Sequence, residues 1–290
     1  MRRNVLFLSC VLLTSFQHVT SHDTLVPVTV EDTTFYVGSI HHDWCLTAEA
    51  EQVALFNSVL KTKRKNCLVV DVGMNDGFYT QMAGSYGCQV YSFELQHHCI
   101  EISRQAVRAN KIDHLVNIIP APVSRNNGEK ISIMFPTESL CDGGFTFSGP
   151  NMQERTHARV PLVVNHTMHT IALDSFIPSG TYIDILKVDV EGHEMEVLQG
   201  AFSLLRQHRV GRLLVELGPP ETYHNFSGLL EVYHEIVRLN YSLTTFNCQK
   251  KRGEPDSFTL QNFDTFSGYA YMNPWKTFWR CADLVIEASK

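Results

Sequence analysis

The chain has 290 residues, 44% of them hydrophobic and 19% charged, with 24 basic and 30 acidic side chains and a formal net charge of −6. These proportions are those of an ordinary globular protein and exclude a disordered or collagen-like chain. The acidic balance, with no basic stripe, argues against nucleic acid as a partner, and no apolar run reaches the ~18 residues of a membrane-spanning helix.

At the N-terminus Arg2 and Arg3 precede an apolar stretch from Val5 to Phe16 and then Val19-Thr20-Ser21. This is the pattern of a secretory signal, so residues 1–21 are expected to be cleaved and the protein to enter the secretory pathway lumen or be secreted. Cleavage leaves 22 basic and 30 acidic side chains, a net charge of −8. The sequons Asn165-His166-Thr167, Asn225-Phe226-Ser227 and Asn240-Tyr241-Ser242 agree with a glycoprotein. Cys10 leaves with the signal; Cys45, Cys67, Cys88, Cys99, Cys141, Cys248 and Cys281 remain. In an oxidising lumen an odd number leaves one thiol free or paired between chains. None forms a CxxC pair.

Residues 22–66 read as an irregular start followed by a helix over Thr47–Lys65, with acids in its first turn and a basic end that suit the helix dipole. They form an N-terminal helical extension to a domain at 67–290. From Leu68 the pattern becomes regular. LVVDVG is a short apolar run, as in a buried parallel strand. A helix follows from Phe78, then the strand QVYSFE, the helix Ile100–Lys111 and the strand VNIIPAPVS. GEKISIMF follows as a hairpin arm. IDILKVDVEG is a strand and EMEVLQGAFSLLRQH a helix; RLLVELG and LLEVYHEIVRLN repeat the alternation, and YSLTTFN and ADLVIEA close the chain. Alternating β and α at this spacing predicts an α/β, doubly wound, mostly parallel sheet. Residues 250–280 are irregular, polar and aromatic, and read as a structured insertion near a binding face.

Two blocks carry chemistry. In DVGMNDGFYT, Asp71 to Thr80, a buried strand runs into a glycine-bearing turn and a helix; ligands of open α/β sheets bind at such strand ends. Gly73 and Gly77 read as positions where backbone approaches a ligand closely. GxGxxG and GK[ST] are both absent, so neither a dinucleotide fingerprint nor a phosphate loop is present. Glu94, 23 residues after Asp71, ends the second strand, where a carboxylate can accept hydrogen bonds from ribose hydroxyls. A nucleoside-bearing ligand without phosphates, such as S-adenosylmethionine, suits this pair; a tight structural turn with an incidental Glu is the other reading. In LKVDVEGHE, Asp189, Glu191, His193 and Glu194 crowd ionisable groups at another strand end, with Glu216 expected beside them on the next strand. Val197 breaks an HExxH match.

Both blocks, in this order, resemble the FkbM-type S-adenosylmethionine-dependent methyltransferases. VYSFE, AVRAN and PAPVSRNNGEKISI are similar to the elements between them, and TIALDSFIPSGTYIDILKVDVEGHEMEVLQGA, Thr170 to Ala201, resembles the family's most specific block. The likeness runs from about Leu68 to Glu216. Met74 and Leu95 depart from it, standing where Ala and Pro are usual. The resemblance implies a Rossmann-like, seven-stranded sheet with an antiparallel last strand. It also implies S-adenosylmethionine as cofactor, held by Asp71, Gly73, Asn75, Gly77, Thr80, Glu94, Val123 and Ser124, and methylation of a hydroxyl on a glycan, lipid or small molecule. His193 is then the candidate base, since its ordinary pKa lies near neutrality, with Asp189 and Glu191 as catalytic partners and Asp189 able to orient it. Asp189, Glu191 and Glu216 offer oxygen ligands to a divalent metal, although no metal is expected. In this fold class the last two strands are neighbours, which brings Cys248 and Cys281 within disulfide reach. The alternative function is a secreted binding protein that keeps the fold without catalysis.

Overall fold

The computed structural model describes residues 24–40, 42–47, 49–63, 65–136, 141, 162–216, 225–246 and 283–288. The signal segment, residues 250–280, Cys248 and Cys281 lie outside them. Among the described residues no helix is long and apolar enough to cross a membrane.

The central sheet has seven strands. These are β3 (Leu68–Val72), β4 (Gln89–Phe93), β5 (Val116–Ile119), β8 (Ile183–Val188), β9 (Val210–Glu216), β10 (Tyr241–Phe246) and β11 (Asp283–Ala288). Their order is β10-β11-β9-β8-β3-β4-β5. Five neighbouring strands, β9 to β5 in that order, pair in parallel, and β11 runs antiparallel to both β9 and β10. This is the expected doubly wound sheet with its antiparallel last strand. The order steps outward from β3 to β4 and β5 on one side and to β8 and β9 on the other. The switch point therefore lies between β3 and β8, where a ligand crevice opens at the strands' carboxyl ends.

Both faces of the sheet are covered, which is why the strands read as continuous apolar runs. Leu68, Val70, Val72, Leu186 and Val188 face a layer built from α5 (Leu173–Phe176), α6 (Glu194–Gln199), α7 (Phe202–Arg206) and α8 (Phe226–Arg238). Val69, Val90, Ile185 and Leu214 face the opposite layer. That layer holds α2 (Ala50–Lys63) and α3 (Phe78–Ser85), with α4 (His97–Asn110) beside α3.

The N-terminal segment differs from the sequence reading. Its irregular start holds a hairpin of β1 (Leu25–Val30) and β2 (Thr33–Gly38) and a short helix, α1 (His42–Thr47), while α2 is the helix expected over Thr47–Lys65. Val28, Val30, Phe35 and Val37 alternate inward into the layer with α2 and α3. Phe35 meets Phe78 edge-on at 5.7 Å. Asn110, at the end of α4, fastens the hairpin by accepting from Tyr36 N at 2.7 Å and donating to Tyr36 O at 2.8 Å. The hairpin thus completes one face of the sheet.

A second hairpin, β6 (Lys130–Pro136) with β7 (Leu162–His169), follows β5. Disulfides join Cys67 to Cys88, at the starts of β3 and β4, and Cys99 of α4 to Cys141. Cys45 is a buried free thiol.

Candidate active site

The loop after β3 is stitched to its neighbours by backbone. Phe93 O accepts from Gly73 N at 2.9 Å and Met74 N at 3.1 Å, and Val72 O accepts from Asp189 N at 3.0 Å. Gly73 has φ +81°, and a Cβ there would lie 1.7 Å from the Asp189 carbonyl oxygen; at Gly77, φ +90°, it would lie 2.4 Å from Ser103 Oγ. Packing of the chain on itself and the positive φ are thus enough to require both glycines. Asn75 sits between them at φ 55°.

These loops wall a cavity of about 620 Å³ at the carboxyl ends of β3, β4 and β8, within the size range of small-molecule sites. Of the expected cofactor contacts, Gly73, Asn75, Glu94 and Val123 line it. Asp71, Gly77, Thr80 and Ser124 are buried behind this lining. Thr80 Oγ1 donates to Asp71 Oδ2 at 2.7 Å and lies 2.6 Å from Ser92 Oγ, so this trio braces β3, α3 and β4 from beneath. Met74 and Leu95 also line the cavity.

Glu94 is buried at the end of β4 and organises the turn that follows. Its Oε1 accepts from Leu95 N at 2.7 Å and Gln96 N at 2.9 Å, and Oε2 accepts from Asn75 N at 2.9 Å. Burial pushes its carboxyl above the usual range, and the three N–H donors oppose the rise. A carboxylate has about four lone-pair sites, so capacity for another donor remains.

His193, Asp189 and Glu191 all line the cavity. His193 precedes the first residue of α6; its Nε2 lies 3.2 Å from Ser124 Oγ and its Nδ1 3.5 Å from Glu196 Oε2. The imidazole thus has a carboxylate beside it, Glu196, one helical turn on, that the sequence reading did not name. Asp189 Oδ2 accepts from Lys187 Nζ at 2.7 Å. Glu191 takes φ 54° and Gly192 φ 101°. Glu194 holds that turn by accepting from Val190 N at 3.0 Å and Gly192 N at 2.9 Å. Burial pushes the Glu194 carboxyl up to about 8, against those backbone donors. The carboxylates of Asp189, Glu191 and Glu216 come within 4.8 Å of one another, which places Glu216 beside the cluster as expected.

Lys187, Tyr79, Glu49 and Trp44 are among the lining residues that sequence reading missed. Lys187 is buried beside its register partner Asp71, with Nζ 5.1 Å from the Tyr79 ring centre. Burial pulls its pKa down, but Asp189, Asp71 and Glu49 outweigh this and hold the ammonium above the ordinary lysine range. A lysine in a mostly apolar buried strand was the available signal. Glu49, just before α2, accepts from Tyr79 Oη at 2.7 Å and from the Trp44 indole Nε1 at 3.0 Å. Cys45 also lines the cavity, and burial with the charges of Glu49 and Asp76 holds its thiol protonated.

No curated protein matches the chain. Human methyltransferase 10 domain containing protein is 9% identical over 84% of this chain and 82% of its own, with a TM-score of 0.41. An O-methyltransferase from Bacillus cereus in complex with SAH is 11% identical over 82% and 79%, with a TM-score of 0.42. An rRNA methylase from Streptococcus thermophilus is 11% identical over 82% and 96%, with a TM-score of 0.41. Residues 71–243, more than half of the chain, match the methyltransferase FkbM domain, and the chain therefore belongs to the FkbM methyltransferase family.

Proposed function

We propose that the protein transfers a methyl group from S-adenosylmethionine to a hydroxyl of a glycan, lipid or small molecule in the secretory pathway. The observation that carries this reading is a single cavity joining Glu94, at the end of β4, to His193, beyond the end of β8. The residues fit the donor. Glu94 retains acceptor capacity for ribose hydroxyls, Gly73 and Asn75 present the loop after β3, and Phe93, Leu95 and Val123 offer apolar wall to a base. Asp71, Gly77, Thr80 and Ser124 support these groups from behind.

The donor supplies an electrophilic methyl on a sulfonium whose C–S bond electrons leave with the sulfur as a thioether. With the donor held by Glu94, Gly73 and Asn75, the cavity would keep an acceptor hydroxyl close to it. His193 takes the hydroxyl proton when its ring turns from Ser124 Oγ towards the cavity, and Glu196 lies close enough to steady the resulting imidazolium. Asp189 and Glu191 orient the acceptor, with Lys187 fixing Asp189. The ammonium already on Asp189 supplies the local positive charge, and no metal is invoked. The N-terminal signal pattern and the two disulfides support a lumenal or secreted location.

Transfer of labelled methyl to a panel of glycans, lipids and phenols tests the reading. His193→Ala should slow turnover by about 10²–10⁴-fold, the usual worth of a general base, and leave donor affinity nearly unchanged. A normal rate in that variant removes His193 from the reaction. Donor binding with no transfer to any acceptor favours a binding protein that keeps the fold.

A further inference from the structure

The cavity is lopsided in charge. Among the described residues, six carboxylates line it (Glu49, Asp76, Glu94, Asp189, Glu191 and Glu216) against one ammonium, Lys187. An anionic acceptor entering it would meet like charge at short range in a partly water-excluded space, which costs several-fold more than in water. Phosphorylated, sulfated and carboxylated acceptors are therefore disfavoured. At the same wall stands Trp44, 61% exposed. Its indole is held, since Nε1 donates to Glu49 Oε1 while Glu49 Oε2 takes the Tyr79 hydroxyl. Tyr79 lies under Lys187, which in turn holds Asp189. One chain of contacts thus fixes an aromatic face and a carboxylate relative to each other across the cavity.

A flat, pinned, solvent-facing aromatic ring and three converging carboxylates call for a ligand with two properties. It needs a face of C–H groups to lie on the indole and several hydroxyls to donate to the acids. A phenol offers one hydroxyl to three carboxylates. An acyl chain offers none. A neutral pyranose or furanose ring offers both a C–H face and neighbouring hydroxyl donors. We infer that the acceptor is a neutral saccharide, with Trp44 as its stacking platform and Asp189, Glu191 and Glu216 as readers of its hydroxyls. This assignment rests on the methyltransferase reading and narrows its substrate.

The test uses the full mature chain, labelled S-adenosylmethionine and pools of oligosaccharides released from glycoproteins and glycolipids. Neutral pools are compared with sialylated, uronate-bearing and sulfated ones, and with phenols and hydroxylated lipids. Donor binding is measured in parallel by calorimetry. Transfer to neutral saccharides is expected, with acidic ones at least about tenfold poorer. Trp44→Ala should raise KM for the saccharide about tenfold, with kcat and donor affinity within about twofold, and Trp44→Phe should recover most of the loss. Equal transfer to acidic saccharides, preference for phenols or lipids, or no transfer to any saccharide by a chain that binds donor overturns the saccharide assignment alone. An unchanged KM in Trp44→Ala overturns the platform. Absence of donor binding overturns the methyltransferase reading beneath it.

Discussion

Lys187 neutralises an acidic neighbourhood from inside the sheet: it contacts Asp189, lies beside Asp71 in register and approaches the Tyr79 ring. Removing one partner of a buried ion cluster strands the others. Lys187→Met should therefore cost about 3–5 kcal/mol of stability, read as a lower urea midpoint; an unchanged midpoint would mean the acids are solvated without it. Glu194 gives a pH signature. Its folded pKa of about 8 lies above its ordinary 4.5, so the folded state holds the extra proton between those values. That contribution is fully present below about 4.5 and is lost as pH rises through about 8. Glu194→Gln should gain stability relative to wild type between pH 5 and pH 8, and parallel profiles would refute the shift. At this scale the acids and His193 were legible because they end a buried strand. Glu196 was hidden because its role depends on which way His193 turns. The roles of Gly73 and Gly77 depend on Asp189 and Ser103, far away in sequence, and local spacing carries no trace of such partners. Packing accounts for Asp71, Gly77 and Thr80, so their presence does not separate an enzyme from a binding protein; His193, Asp189 and Glu191 bear that distinction.

Among elements, strands β3, β4, β8 and β9 were legible because burial on both faces writes continuous apolar runs. The N-terminal hairpin was missed although Val28, Val30, Phe35 and Val37 alternate with outward Thr29, Thr34 and Tyr36; Pro27 inside the first arm counts against a strand, and each arm is only six residues long. Cysteine pairing was equally opaque to counting. Cys67 and Cys88 become neighbours only once β3 and β4 pair, and Cys99 meets Cys141 through the placement of α4. The Cys67–Cys88 bridge spans 21 positions, and a loop of that size is worth about 3 kcal/mol in unfolded-state entropy. The double change Cys67→Ser with Cys88→Ser should lower stability by about 2–4 kcal/mol in denaturant titration under oxidising conditions. No change would show that the bridge does not form in the folded protein.

For the whole molecule, the topology and the cavity make one statement: the sheet reverses at β3 and β8, and the residues with chemistry gather at that edge. Two layers fix it there, one completed by the N-terminal hairpin, and Trp44 and Cys45 of α1 with Glu49 before α2 bring the N-terminal segment into the cavity wall. The central claim is that this edge binds S-adenosylmethionine through Glu94. Calorimetric titration of the mature chain with S-adenosylmethionine or its demethylated product tests it directly. The account predicts a dissociation constant in the micromolar range, weakened by about 1.5–3 kcal/mol in Glu94→Ala, since the lost hydrogen bonds are to a charged group. No binding to the intact protein, or equal binding by the variant, would contradict it.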